Sequence, residues 1–560
     1  MKRKTLLLIL VFSLAFAILA GCAPADDTPA ATAPPATNGN EEVPTPPVLP
    51  PDDPDDHVTI SLFAMVESEQ GAWNDMYLFR KMEEMFNVSF DITEIHSTVW
   101  PERVALAFAT GDYPDIFLNG LSEEEFMMYG SQGMFIDLSR YINQQNTPNI
   151  YRLYQEFPEL RRAHMAVDGQ QFFFRGYDRT NIREYAQARF FVNKQWMEDF
   201  GMDVPTTLDE FTDFLFAVRD SDPNRIPMTG VFDQESHSLL TFPLSAMGFT
   251  VQFWNNNVGE MVDVQDGTVV FVPTHDLFLE VLTWMNMLFR ENLLDNEYFT
   301  QTVDARNAKL AEGRVGAFMD WAHWLRIPDE AIWSQYDGIV PLTSAHNDTP
   351  VWPSVSIQSI GIFGITDRAQ NIPRILQVLD WTTTFEAYRA KLGGPDLEAG
   401  GHPDFPGQGH TIEFFDDPAL GINPINLVFH FPEGEFGSAY EWRMNNISPH
   451  WGSIPACRVD FTEVEFAPEQ RALTDALVNN YADAFRVGWP NTVRFTEDEA
   501  NTLALIRTDL YTYILHMIAR FITGEESLEN FDVFRQGIAD RGLETYMEIY
   551  QRAFDRYMGS

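Results

Sequence analysis

The chain has 560 residues, with 82 Asp and Glu against 37 Lys and Arg, a formal net charge of −45. That balance argues against nucleic acid as a partner, because phosphate binding needs basic patches. It suits an exported protein kept soluble by its charge. Residues 57–560 exceed what one hydrophobic core holds, which predicts two or more domains.

The first four residues are Met1, Lys2, Arg3 and Lys4, followed by an apolar run over residues 5–20. A spanning helix needs roughly 20 apolar residues, so this shorter run with basic flanks reads as a signal peptide over residues 1–21. An uncleaved membrane anchor is the alternative. Leu19-Ala20-Gly21-Cys22 resembles the bacterial lipobox. The resemblance implies lipidation of Cys22 and a tethered protein on the extracytoplasmic face of the cell membrane. Residues 22–56 hold the lipidated Cys and a stretch with ten prolines, eight acids and no Lys or Arg. Such a stretch buries too little to offset ordering and is expected to act as an extended, disordered tether. The other cysteine, Cys457, reads as a small buried apolar side chain.

From His57 the chain alternates as a strand, "HVTISLFAMVES", and runs into a loop with Glu67, Ser68, Gln70 and Trp73. A helix over residues 74–85 and a strand "NVSFDITEI" follow. In "WPERVALAFATGDYPDIFLNG", Pro101 suits a first helical turn and Gly111 the cap beyond its end. Ile116-Phe117-Leu118 is a short buried strand. This rhythm is that of an α/β domain, whose ligands bind beyond strand carboxyl ends. Glu67, Asn119 and Gly120 stand at such ends. The run Glu123-Glu124-Glu125 reads as a solvated helix start. Thr207 and Glu210 form a capping box ahead of a helical apolar stripe. "AEGRVGAFMDWAHW" gives a turn, a strand and a burst of Asp320, Trp321, His323 and Trp324. "SIQSIGIFGIT" returns to strand, and the C-terminal part is helical, with Gly524 ending one helix.

The lipobox, "FATGDYPDIFL", "FVNKQWMEDFGMDVPTTLDEF", "EGRVGAF" and "FITGEESLENFDVFRQGIADRGLETYMEIYQRAF" together resemble the bacterial extracellular solute-binding proteins of family 1, in their large lipoprotein branch. The resemblance implies an α/β, two-lobed periplasmic-binding-protein-like (type II) fold with a hinge and an interlobe ligand cleft. Lobe 1 is expected over 57–180 and 346–440, and lobe 2 over 181–345 and 441–560. Crossings are expected near 175–190, 340–355 and 430–455. The implied partners are an oligosaccharide, the permease subunits of an ABC transporter and, through Cys22, a membrane; the chain is expected to be monomeric and free of cofactors. The implied ligand-binding residues are Glu67, Asn119, Asp320, Trp321 and Trp324, and Trp73 joins them by residue type alone. Trp254, Trp352, Trp442 and Trp451 are candidates by type alone. Sugar C–H faces stack on aromatic rings, and hydroxyls pair with Asp, Glu and Asn, the mixture that ligand pockets use.

Several relatives carry a calcium loop of the form DPdgNGkkDeiP. Here the stretch is "DSDPNRIP", residues 220–227, with Arg225 inside it and several oxygen ligands missing. Calcium needs an oxygen-rich cage, so no calcium is expected. The 12 histidines show no HxH or HExxH spacing, so no other metal is expected either. A surface-anchored glycoside hydrolase is the alternative of a different class, since a catalytic carboxylate pair is compatible with so many acids. A receptor for a non-sugar solute such as a peptide is a further alternative.

Overall fold

The strands, in chain order, are β1 (Val58–Val66), β2 (Val88–His96), β3 (Ile116–Leu118), β4 (Phe174–Arg175), β5 (Arg189–Asn193), β6 (Ile226–Met228), β7 (Val262–Gln265) and β8 (Thr268–Phe271). They continue with β9 (Val315–Asp320), β10 (Tyr336–Gly338), β11 (Trp352–Pro353), β12 (Ile362–Ile365), β13 (Gly409–Phe414), β14 (Ile425–His430) and β15 (Phe485–Arg486). The computed structural model describes residue 49 and residues 53–559, apart from 67–69, 180–188, 233–237, 252–260, 357–360, 417–421, 433, 437–438, 450–452 and 464–479. Cys22 and its flanks, Glu67, Trp254 and Trp451 therefore lie outside the described residues.

Two sheets carry the architecture. The first has the order β2-β1-β3-β12-β4, and the second β10-β5-β9-β6. β1 runs parallel to β2 and β3, with Leu62 opposite both Ile92 and Ile116. β12 runs antiparallel to both β3 and β4, so β4 points the same way as β3. In the second sheet β9 is parallel to β6 and antiparallel to β5, with Asp320 opposite Arg189. The all-buried β3, β5, β9 and β12 are what sheets covered by helices on both faces require. This is the expected two-lobed α/β architecture.

Local signals hold where their chemistry is local. The helix Trp100–Thr110 has Pro101 in its first turn and ends at Gly111 in the left-handed region, φ 73°. Thr207 and Glu210 cap the helix Leu208–Ser221 reciprocally. The helix Glu497–Thr523 ends at Gly524, φ 81°. The helix expected over 74–85 is displaced: Trp73–Asp75 form a 3-10 turn and the helix runs Tyr77–Phe86. No helix among the described residues is long and apolar enough to cross a membrane.

Each sheet has its own core. One contains Leu62, Phe79, Ile116, Phe363, Ile375 and Trp442. The other contains Phe191, Phe214, Leu282, Phe318, Trp352, Ile514 and Tyr550. Their membership corrects two expected boundaries. Residues 346–353 stay with the second core, since Trp352 is buried there and β11 pairs with β15. The chain rejoins the first sheet at Ile362. Nor does it leave near 430–455. Trp442, Ile447, Ile454, Cys457 and Val459 all pack in the first core, and Tyr481 is in the second. Trp442 holds this segment in place: it is fully buried, donates to Gln408 at 2.9 Å and stacks on Phe431.

The segments that leave the first core after β4 and after Val459 start from a common root. Asp178 and Arg458 form a parallel bridge, with Arg458 N–H donating to Tyr177 O at 2.8 Å and Arg179 N–H to Arg458 O at 3.1 Å. The two side chains form an ion pair, 0% and 3% exposed, in which Nε donates to Asp178 Oδ2 at 2.9 Å. Glu463 accepts from Arg458 at 3.4 Å and from the Tyr388 hydroxyl at 2.5 Å. Removing one partner leaves a buried charge uncompensated. Arg458→Met is expected to cost about 3–5 kcal/mol, read as a lower urea midpoint.

Candidate functional site

Topology selects the edges of the sheets that matter. β4 ends at Arg175, and β5 begins at Arg189 in the other sheet. The first connection between the lobes therefore leaves the first sheet from the edge where β1, β2 and β3 also end, because all four strands point the same way. It arrives at the edge of the second sheet where β5 begins and its antiparallel neighbour β9 ends. Asn119 lies on the first edge and Asp320 on the second.

On the first edge, Asn119 is half-buried in the left-handed region, φ 63°, and its N–H donates to Ile362 O at 3.0 Å. Gly120 follows at φ 84°, its Cα pressed to Trp100: a Cβ there would fall 2.4 Å from the indole. Any side chain at 120 would displace Trp100, which is 4% exposed. The Trp100 indole N–H has no hydrogen-bond partner among the described residues. The contact of Trp100 with the Asn119–Gly120 turn is tertiary and has no local signal in the sequence. Trp73 is in the core instead of on the edge. It is fully buried, stacks near Phe79, and donates through its backbone to Glu94 at 2.7 Å and through Nε1 to Gln70 at 3.3 Å. No face of it is open to a ligand in this arrangement.

On the second edge the structure brings Asp320, Trp321 and Trp324 together, and gives the Asp320 carboxylate protein partners of its own. Asp320 is 1% exposed. Its carboxylate accepts from Arg306 at 3.0 Å, from Arg326 at 2.9 Å and from the Trp321 backbone N–H at 2.7 Å. These bonds occupy the oxygens expected to receive sugar hydroxyls, so Asp320 organises the turn. Trp321 is half-buried. The Arg189 guanidinium lies 5.1 Å from its ring centroid and donates to its carbonyl at 2.7 Å. Such stacking on indole is favourable, about 0.5–2 kcal/mol. Trp324 is half-buried and packs edge-on to His323. Arg189 carried no local signal, since a cross-strand partner is fixed only by register; Arg306 reaches Asp320 from the helix Val303–Ala311 and Arg326 from the end of the turn His323–Leu325. Trp352 and Trp442 are 1% and 0% exposed core residues.

His323 lies between Phe191, Trp324 and Trp333. Burial is the main cause that lowers its pKa to about 4, with Lys194 adding to it. In the stretch 220–227, Arg225 lies 4.0 Å over the Trp196 ring and donates to Ser221 Oγ at 3.1 Å. Among the described residues no three His, Cys, Asp or Glu side chains form a metal cluster.

A histidine neutral in the fold but protonated in the unfolded chain binds fewer protons when folded. Its contribution is present above the unfolded value and is lost as pH falls toward the folded one. His323 is expected to lower stability by up to about 1.4 kcal/mol per pH unit between its ordinary 6.5 and about 4. His323→Phe should flatten that part of the pH profile of the urea midpoint.

Residues 77–388 match the family model of the bacterial extracellular solute-binding proteins. The chain is 21% identical over 515 residues to the fructooligosaccharide ABC transporter substrate-binding protein FusA of Streptococcus pneumoniae, covering 87% of this chain and 88% of that one. It is 24% identical over 225 residues to the polygalacturonan/rhamnogalacturonan-binding protein YtcQ of Bacillus subtilis, 40% of this chain and 39% of the other. Among solved structures, an HMO-binding, ABC-transporter-associated solute-binding protein of Bifidobacterium longum infantis superposes with a TM-score of 0.74 at 18% identity, covering 90% of this chain and 99% of that one.

Proposed function

The chain belongs to the bacterial extracellular solute-binding proteins, and from that premise we propose that it captures an oligosaccharide between its lobes and hands it to the permease of an ABC importer. The observation that carries this reading is Trp321: a half-buried indole at the edge of the second sheet, covered on one face by Arg189. A flat aromatic surface with nearby fixed polar groups suits a sugar ring. Asn119 and the Trp100–Gly120 turn supply the complementary polar edge on the first lobe. The similarity to FusA along most of both chains supports the carbohydrate class. On this reading the protein is a receptor without turnover. It works as a monomer held at the membrane by lipid on Cys22, and closes by hinge motion on a ligand that touches both lobes.

The test is thermal denaturation against a panel of fructooligosaccharides, pectic oligosaccharides and short peptides. A glycan at a hundredfold excess over its Kd should stabilise the fold by about 2.7 kcal/mol, and no product should form. Trp321→Ala should weaken that glycan at least tenfold. Stabilisation only by peptides, or release of product, would overturn the reading.

A further inference from the structure

Glu123 and Glu124 stand in the first turn of the helix Glu123–Ser131 on the first lobe; the Glu124 side chain is 70% exposed, as a solvated helix start implies, and that of Glu123 only 23%. Glu125 turns back to complete the capping box with Ser122. The other two face cations. Glu123 pairs with Arg175 of its own lobe at 2.7 Å and with Arg494 at 2.5 Å. Glu124 pairs with Arg507 at 3.4 Å. Arg494 and Arg507 belong to the second lobe: Val493 lies in its core, and Arg507 is on the helix Glu497–Thr523, whose buried face packs there. Among the described residues these are the ion pairs that join the two lobes.

Arg494 is the better placed of the two. Its side chain is 17% exposed. Besides Glu123, its guanidinium donates to the Ala163 carbonyl in the last turn of the helix Pro158–His164 and lies 6.0 Å from the Phe173 ring. A carboxylate, a helix-end carbonyl and an aromatic face thus receive one cation. Its own carbonyl is held by Arg556 at 3.2 Å, and Arg556 pairs with Glu499. Arg507 is steadied by the Tyr550 hydroxyl at 3.3 Å. Both arginines are therefore braced from the second lobe before they reach the first. Arg175, the last residue of β4, adjoins the first connection between lobes, so the contact lies beside the hinge.

We propose that Glu123 and Glu124 with Arg494 and Arg507 form an ionic clasp that holds the angle between the lobes and so sets the equilibrium on which ligand capture draws. The consequence for capture rests on the receptor reading; the clasp itself does not. Two part-exposed pairs together bias the lobe equilibrium on the order of tenfold.

The test is small-angle X-ray scattering of the ligand-free protein at low ionic strength. The variant E123Q/E124Q/R494Q/R507Q removes the clasp at constant net charge. Its interlobe distance distribution should depart from wild type, with a cooperative far-UV CD melt retained. E124R and R507E alone should each depart, and E124R/R507E together should return toward wild type. That swap series decides the matter if the fourfold variant does not fold. Curves that superimpose on wild type throughout, or a double swap no closer to wild type than its halves, would overturn the proposal. Because no ligand is present, its failure is separate from a failure of the glycan assay.

Discussion

The buried pair of Asp178 and Arg458 is the constraint on which the two-lobed arrangement depends. Both segments that leave the first core beside it are tied at their root, by backbone bonds and by a charge pair closed off from water. A pair so buried gains little net stability over an apolar equivalent, but its geometry is strict. Glu463 and Tyr388 strengthen that strictness by taking up remaining hydrogen-bonding capacity. A hinge needs such a root. If the segments could slide where they leave the core, movement of one lobe would be lost as local disorder before it changed the other.

The same use of arginine recurs on the second lobe. Asp320 and Arg189 close the ends of adjacent strands, and Arg306 and Arg326 complete the set. The result is a turn whose backbone is fixed by charge-assisted bonds, which are shorter and stronger than neutral ones. Trp321 emerges from that turn with its orientation set by Arg189. A stacking platform works only if its plane is set in advance, because a ring free to rotate loses rotamer entropy on binding. If Trp321 is the platform proposed above, the Asp320 carboxylate acts through the tryptophan.

The sequence made legible what neighbouring residues decide among themselves. Pro101, Gly111, the Thr207–Glu210 box and Gly524 set helix ends through contacts within a turn or two. The strand Ile116–Leu118 and the loop that follows it were readable for the same reason. Lobe membership of residues 441–449 and 453–463 was not, because it turns on Trp442 meeting Phe431 and Gln408. The polar text around it resembles a surface crossing. Trp73 and Trp321 are the same residue type in similar loops, yet one is core and the other half-open, a difference set by what packs over each. Glu123 looked solvated because its partner Arg494 is more than 370 positions away.

Charge ties these observations together. The chain has few cations for its 82 acids, and Arg189, Arg306, Arg374 and Arg458 are each at most 3% exposed. Buried acids match them: Asp178, Asp263, Asp295, Asp320, Asp380 and Glu499 are each at most 8% exposed, so burial leaves the exterior about as acidic as the net count. Two acidic lobes repel diffusely, and that repulsion is screened beyond about 8 Å at physiological salt. The contacts of Glu123 and Glu124 act at a few ångströms and oppose it locally. Salt weakens both terms, so ionic strength alone does not separate them; a substitution that conserves net charge does.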